Sequence, residues 1–174
     1  MITVVVGTNR PQSKSRLIAQ FYQRLLDQLQ VSNQLLDLAD LPNDFTESAL
    51  YQNSGKNPLF NRLRQLMDTS EKFVFVLPEY NNSVPGVFKA FIDGLSYPNA
   101  LIYKKCALVG ISDGVAGNAI GLSHITDVFH YLGMNVLAQK VRIPFMKKNF
   151  ANGQITDAFI ANLIIEQAKL LTTF

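Results

Sequence analysis

Ile2-Thr-Val-Val-Val6 opens the chain as a β-branched apolar run, and a polar stretch from Gly7 to Arg16 ends it. Leu17, Ile18, Phe21, Tyr22, Leu25, Leu26 and Leu29 then recur at helical spacing, which predicts a helix from about Ser15 to Leu29, with Ser13 or Ser15 as its N-cap. The alternation continues. Strands are expected at Gln34 to Leu38, Phe73 to Leu77, Cys106 to Ile111 and Met134 to Leu137. Helices are expected at Leu59 to Thr69, from Val84 or Pro85 to Leu95, and from Ala119 to Leu132, the last closed by Gly133 as a left-handed cap. A final helix is expected from Thr156 to Leu171, capped by Thr156. Two stretches show no period. Pro42 to Pro58 is polar, with a short helix expected around Glu47 to Tyr51, and Lys140 to Asn152 reads as irregular.

Strand and helix thus alternate along the whole chain, the pattern of a parallel sheet with helices on both faces. Phe73-Val-Phe-Val-Leu77 has no polar alternation, as suits a strand covered on both sides. The expected fold is α/β: one domain, residues 1 to 174, with a doubly wound five-stranded parallel sheet in the flavodoxin-like order 2-1-3-4-5. In that order the ligand crevice lies at the carboxyl ends of the strands, lined by the loops after the first, third and fourth strands.

Bulk properties narrow the class. At 174 residues, with 48% hydrophobic and 17% charged residues, the chain is long enough for a sizeable core and is not of disordered composition. A net charge of +3 suits anionic small molecules and is too weak to argue for nucleic acid. Lys104-Lys105 and Lys147-Lys148 read as solvated loop pairs. The single cysteine, Cys106, sits in an apolar strand pattern and reads as a buried core thiol; it excludes an internal disulfide or a cysteine metal cluster. The N-terminus runs directly into a strand, and no stretch reaches the length of a membrane span, so neither a signal peptide nor a membrane segment is expected and the cytoplasm is the default.

The three loops carry the candidate chemistry. Thr8, Ser13 and Ser15 can donate to phosphate oxygens, and Arg10 or Arg16 can add charge-assisted bonds beside the free amides of the helix start. Neither a Walker loop nor a Gly-x-Gly-x-x-Gly fingerprint is present, which favours one terminal phosphate over a pyrophosphate, while ordinary capping serines explain the same residues without a ligand. Pro78-Glu79-Tyr80-Asn81-Asn82-Ser83 stops the third strand and reads either as a binding loop or as a plain turn. Ser112-Asp113-Gly114-Val115-Ala116-Gly117-Asn118 has little bulk, so a flat ligand can approach its backbone. His124 and His130 fall on the helix that follows and read as surface or core residues.

Gly7-Thr8-Asn9-Arg10 through Ser13-x-Ser15, the block Pro78 to Gly86, and Asp93-Gly94-Leu95-Ser96 together resemble the NAD(P)H-dependent FMN reductases of the flavodoxin-like superfamily, whose pattern quinone, azo-dye and chromate reductases share. The similarity extends to about Leu137, and Pro-Glu-Tyr-Asn-x-Ser-x-Pro-Gly is its most specific part. The resemblance implies FMN as cofactor, its phosphate on Thr8, Arg10, Ser13, Ser15 and Arg16, and its ring edge on Pro78, Glu79, Tyr80 and Asn81, with Asn82 and Ser83 completing the turn. It places Ser112, Asp113, Gly114 and Gly117 beside the ring. Asn82 stands where many relatives have glycine, Arg16 where Asn or Thr is common, and Asp113 and Val115 where relatives are richer in glycine.

The resemblance further implies hydride transfer from NAD(P)H through bound FMN to a small-molecule acceptor such as free flavin or a quinone, with no catalytic side chain and no metal. A flavodoxin-like electron carrier and an inactive dimeric scaffold or sensor are the rival readings. Phe88, Phe91, Leu50 and Tyr51 read either as an exposed apolar patch beside the crevice, which suits a homodimer or homotetramer, or as residues packed within the chain, and the sequence leaves both open.

Overall fold

The computed structural model describes residues 1–97 and 100–174. Its elements in chain order are β1 (Ile2–Val6), α1 (Lys14–Gln28), β2 (Asn33–Asp37), α2 (Phe45–Ser48), α3 (Pro58–Thr69), β3 (Lys72–Pro78), α4 (Gly86–Asp93), β4 (Lys105–Ile111), α5 (Ala119–Tyr131), β5 (Asn135–Val136), β6 (Val141–Ile143), α6 (Met146–Asn149), β7 (Phe150–Ala151), β8 (Gln154–Ile155) and α7 (Ala158–Thr173). The sheet order is β2-β1-β3-β4-β5, all parallel, as the alternation predicts.

Side chains of β3 alternate between two cores. Phe73, Phe75 and Leu77 face α3, α4 and α5, where Phe60, Phe88, Phe91 and Phe129 meet them; Val74 and Val76 face Ile18, Tyr22 and Leu26 of α1 and Ile164 and Leu171 of α7. One face of the sheet is therefore packed by aromatic rings and the other mainly by aliphatic side chains. Phe75 is the hub of the first: its ring lies 4.7 Å from Phe129 and 5.7 Å from both Phe73 and Phe88.

One open reading closes and three expectations need correction. Phe88, Phe91 and Leu50 are buried: Phe88 packs between the rings of Phe75 and Phe129, while the 42–57 excursion folds back as α2 and a 3₁₀ turn and packs Phe45 5.0 Å from Phe60, which in turn reaches Phe91; only Tyr51 is exposed, at 84%. The last helix is capped by Asp157, whose carboxylate accepts the Ile160 amide, and not by Thr156, whose hydroxyl bonds the Lys148 carbonyl. Lys104 and Lys105 are not merely solvated: their ammonium groups donate to the carbonyls of Met67, Asp68 and Phe174, at the ends of α3 and α7. The stretch from Lys140 to Asn152 is ordered. It holds β6, α6 and the start of a small β7–β8 hairpin turned on Asn152 and Gly153, both at positive φ.

The fifth strand is broken in two. β5 pairs with Lys105 and Cys106 of β4, whereas β6 pairs further along, with Val109 to Ile111. Between them the ladder lapses at Leu108, and the buried Gln167 amide of α7 closes the gap by donating to the carbonyls of Leu108 and Gln139. Cys106 is fully buried in the adjoining core, and burial pushes its thiol well up from the usual value, as the inert reading requires.

Phe75→Ala should lower unfolding free energy by about 3–5 kcal/mol, and Phe75→Leu by much less, because only the first leaves an unfilled cavity among the rings. Urea midpoints measure both; equal losses would show that the ring cluster does not carry this face of the core.

Candidate functional site

The carboxyl ends of β1, β3 and β4 open onto a cleft of about 530 Å³. Gly7 starts its first wall. Its amide bonds the Val76 carbonyl at 2.9 Å, and a Cβ there would overlap Leu77, so the chain turns away from β1 hard against β3. Thr8 is buried, accepts the Arg10 amide, and has its hydroxyl 3.5 Å from the Tyr80 hydroxyl. Gln12 takes a positive φ of 52° to bring Ser13 into position, where its hydroxyl caps α1 by accepting the Arg16 amide. The next residues, Lys14 and Ser15, lie in the first helical turn, whose amides have no acceptor within the helix. Ser15 is 1% exposed, and its hydroxyl has no partner among the described residues.

The second wall is a tight turn. Tyr80 and Ser83 exchange two backbone hydrogen bonds, and Asn81 and Asn82 between them sit at φ 50° and 60°. Both central residues are left-handed, so asparagine here does what glycine does in such turns. Their own amides have no acceptor among the described residues. Ser83 turns outward, with its hydroxyl 3.0 Å from His124 Nδ1, which accounts for that histidine on the exposed side of α5.

Asn118 fastens this turn to the third wall. Fully buried and at φ 65°, it donates its side-chain amide to the carbonyls of Leu77 and Pro78 and its backbone amide to a Glu79 carboxylate oxygen. Glu79 is thereby a brace between loops. Gly121 leaves the room Asn118 needs, since a Cβ there would overlap the Asn118 carboxamide. Ser112 organises the rest: its hydroxyl donates to the Gly114 carbonyl and accepts the Gly117 amide, while its backbone bonds Ile143 and Met146. Gly117 itself holds φ +58°, and a Cβ there would crowd Arg142 and Ile143, so its freedom serves packing against β6.

Thr8, Arg10, Ser13, Ser15, Pro78, Glu79, Tyr80, Ser112 and Asp113 line this single cleft. Asn81, Asn82 and Ser83, in the turn after Tyr80, and Gly114 and Gly117, within the 112–118 loop, do not line it, and Arg16 points elsewhere, its guanidinium 3.1 Å from Asp37 at the end of β2. Gln12, Lys14, Met146 and Lys147 also line the cleft but are not singled out by the sequence reading. For Lys14 a signal exists, since it stands between the two serines. For Met146 and Lys147 none does, because they arrive on α6, which only the broken fifth strand brings to the rim. The mouth carries three cations, Arg10, Lys14 and Lys147, and Lys14 pairs across it with Asp113. A larger hollow of about 630 Å³ between α4 and α5 is mainly apolar and lies away from the strand ends, so it lacks the convergent polar groups of the cleft.

Asp37 is buried, and its carboxyl is held above the ordinary value of 3.8 mainly by that burial; Asp40 adds to the rise, while the Ala39 amide and Arg16 oppose it. A raised carboxyl favours folding below 3.8, and that contribution is lost as pH climbs through the folded value. Arg16→Gln removes an opposing charge, so Asp37 should titrate still higher, as followed by its carboxyl carbon NMR shift; a titration that falls would overturn the pairing.

The sequence profile of the NADPH-dependent FMN reductases matches residues 1–147. The NADH:(hydroxy)cinnamate reductase subunit CrdA of Vibrio ruber is 29% identical over 125 residues, 71% of this chain and 59% of that protein. A quinone reductase of Pseudomonas putida is 34% identical over 131 residues, 71% of this chain and 65% of its own length. The chain thus matches less than two thirds of the length of either relative. In fold it is similar to FerB, a flavoenzyme NAD(P)H:(acceptor) oxidoreductase from Paracoccus denitrificans, with a TM-score of 0.78 and 24% identity, over 99% of this chain and 94% of that one. The profile match takes in all three crevice loops and the α6 wall through Lys147, so the chain belongs to the NADPH-dependent FMN reductase family.

Proposed function

We propose that the cleft holds FMN and that the protein is an NAD(P)H-dependent oxidoreductase that passes reducing equivalents to a small acceptor, a quinone or free flavin. The observation that carries this is Ser15: a buried hydroxyl without a partner, on the cleft wall, in the first turn of a helix whose leading amides are also free. An unbonded buried hydroxyl is unfavourable by about 1–3 kcal/mol, and a phosphate oxygen is the acceptor that best relieves it. Thr8, Arg10 and Ser13 line the same cleft, and with one helix terminus available the site suits a single terminal phosphate.

The rest of the cleft fits a planar ring with carbonyl and nitrogen acceptors. Pro78, Tyr80 and Met146 line the cleft, and the unbonded amides of Asn81 and Asn82 in the adjoining turn are donors suited to such acceptors. Bound FMN supplies the hydride chemistry. The protein's residues orient the ring and keep it at the rim of the sheet, open for a second ligand to stack. Glu79 is held by the Asn118 amide, so it positions the loop and moves no proton.

The chain is expected to work as a homodimer or homotetramer: the apolar hollow between α4 and α5, with the exposed Tyr97 and Tyr131 on its rim, is the surface that supports this. Among the described residues no helix is long and apolar enough to cross a membrane.

Titration of the FMN-free protein should shift the flavin absorption bands at micromolar protein, and NADPH absorbance should then fall steadily when a quinone is added. Ser15→Val should weaken FMN binding about tenfold or more while leaving riboflavin, which has no phosphate, bound as before. An unshifted spectrum would sink the cofactor reading, and an equal loss for both flavins would sink the role of Ser15.

A further inference from the structure

Beside the cleft, on the other side of the 112–118 loop, lies a second groove of about 480 Å³. Lys140, Arg142 and Lys148 line it, and none of their charged ends makes an ion pair or hydrogen bond among the described residues. Two phenyl rings stand exposed on the same surface, Phe159 at 71% and Phe145 at 45%. Phe145 is held at φ 47°, a left-handed backbone that a bulky residue rarely takes. The conformation is imposed from both sides: the Phe145 amide bonds the Gly114 carbonyl, and its own carbonyl accepts from Lys148 and Asn149. A strained backbone that keeps an apolar ring in water on the groove wall points to a ligand contact. Asp157 is the one carboxylate on the groove, where it caps α7 through the Ile160 amide, so cations outnumber it three to one.

The groove and the cleft share two walls. Asp113 faces the cleft and Val115 the groove; across from them, Lys147 faces the cleft and Lys148 the groove. A long ligand with one ring in the cleft can therefore cross the rim and lay its other end in the groove. Resting on the oxidoreductase reading above, we propose that this groove binds the adenosine-phosphate half of the nicotinamide donor, with the purine against Phe145 and Phe159 and the phosphates on Lys140, Arg142 and Lys148. Stacked aromatic faces are sequence-tolerant platforms for a base, and arginine is the side chain best shaped for phosphate. Three cations exceed what the two phosphates of NADH require, so the donor with the extra phosphate, NADPH, is favoured.

The test uses adenosine 2′,5′-bisphosphate as probe, titrated calorimetrically into the protein with and without saturating FMN. It should bind in both states and bind better than 5′-AMP. In the double variant Arg142→Gln/Lys148→Gln the bisphosphate should weaken at least tenfold, with the affinity for FMN and the unfolding midpoint unchanged. Phe159→Ala should weaken the bisphosphate and 5′-AMP by a similar factor, since it removes the stacking face and no charge. Bisphosphate that fails to bind, that is displaced by FMN, or that binds the double variant as tightly as the parent overturns the proposal. Failure of FMN itself to bind would instead count against the cleft reading, because the bisphosphate titration without FMN still decides the groove.

Discussion

Every strand of the main sheet runs in one direction, and that single constraint organises the molecule. Parallel pairing forces each connection to cross over a face of the sheet, so both faces are covered by helices and all the carboxyl ends emerge at one edge. The order β2-β1-β3-β4-β5 sends the chain outward in opposite directions from β1 and β3, which leaves a crevice between the loops that follow them. The cleft is where the helices cannot close over that edge.

Holding such an edge open takes polar ties, since loop backbone there lies partly buried and must be satisfied. Asn118 meets most of this demand, bonding Leu77, Pro78 and Glu79 at once, and Ser112 does the same for the loop behind it. Most polar atoms of the rim are thus committed to one another. The exceptions, the Ser15 hydroxyl, the Asn118 side-chain oxygen and the amides of Lys14, Ser15, Asn81 and Asn82, are accordingly informative. Lys14 and Ser15 line the cleft, and their unbonded donors give it a chemical direction.

Charge is distributed to match. The chain is only mildly basic, and several of its lysines are used structurally, at the ends of α3 and α7. Six cations stand on the rim: Arg10, Lys14 and Lys147 at the cleft, and Lys140, Arg142 and Lys148 at the neighbouring groove. A small overall excess therefore becomes a local positive field where an anionic ligand would enter.

The hydrophobic period determined the strand–helix alternation and the positions of the three loops, because burial on both faces leaves an unbroken apolar run such as Phe73 to Leu77; the sheet order followed from the arrangement that five such units usually take. The Asn81-Asn82 turn was legible for the same local reason, since asparagine tolerates the left-handed backbone it requires. What tertiary structure decided is non-local. Whether Phe91 is buried depends on an excursion some forty residues earlier folding back through Phe45 and Phe60; which cation meets the cleft depends on Asp37 claiming Arg16; and the walls from α6 depend on a strand that breaks where Gln167, from the last helix, supplies the missing bond. Period reports which face of an element is covered; it carries no record of which distant side chain completes a hydrogen bond, and the rim of this protein is built from such bonds.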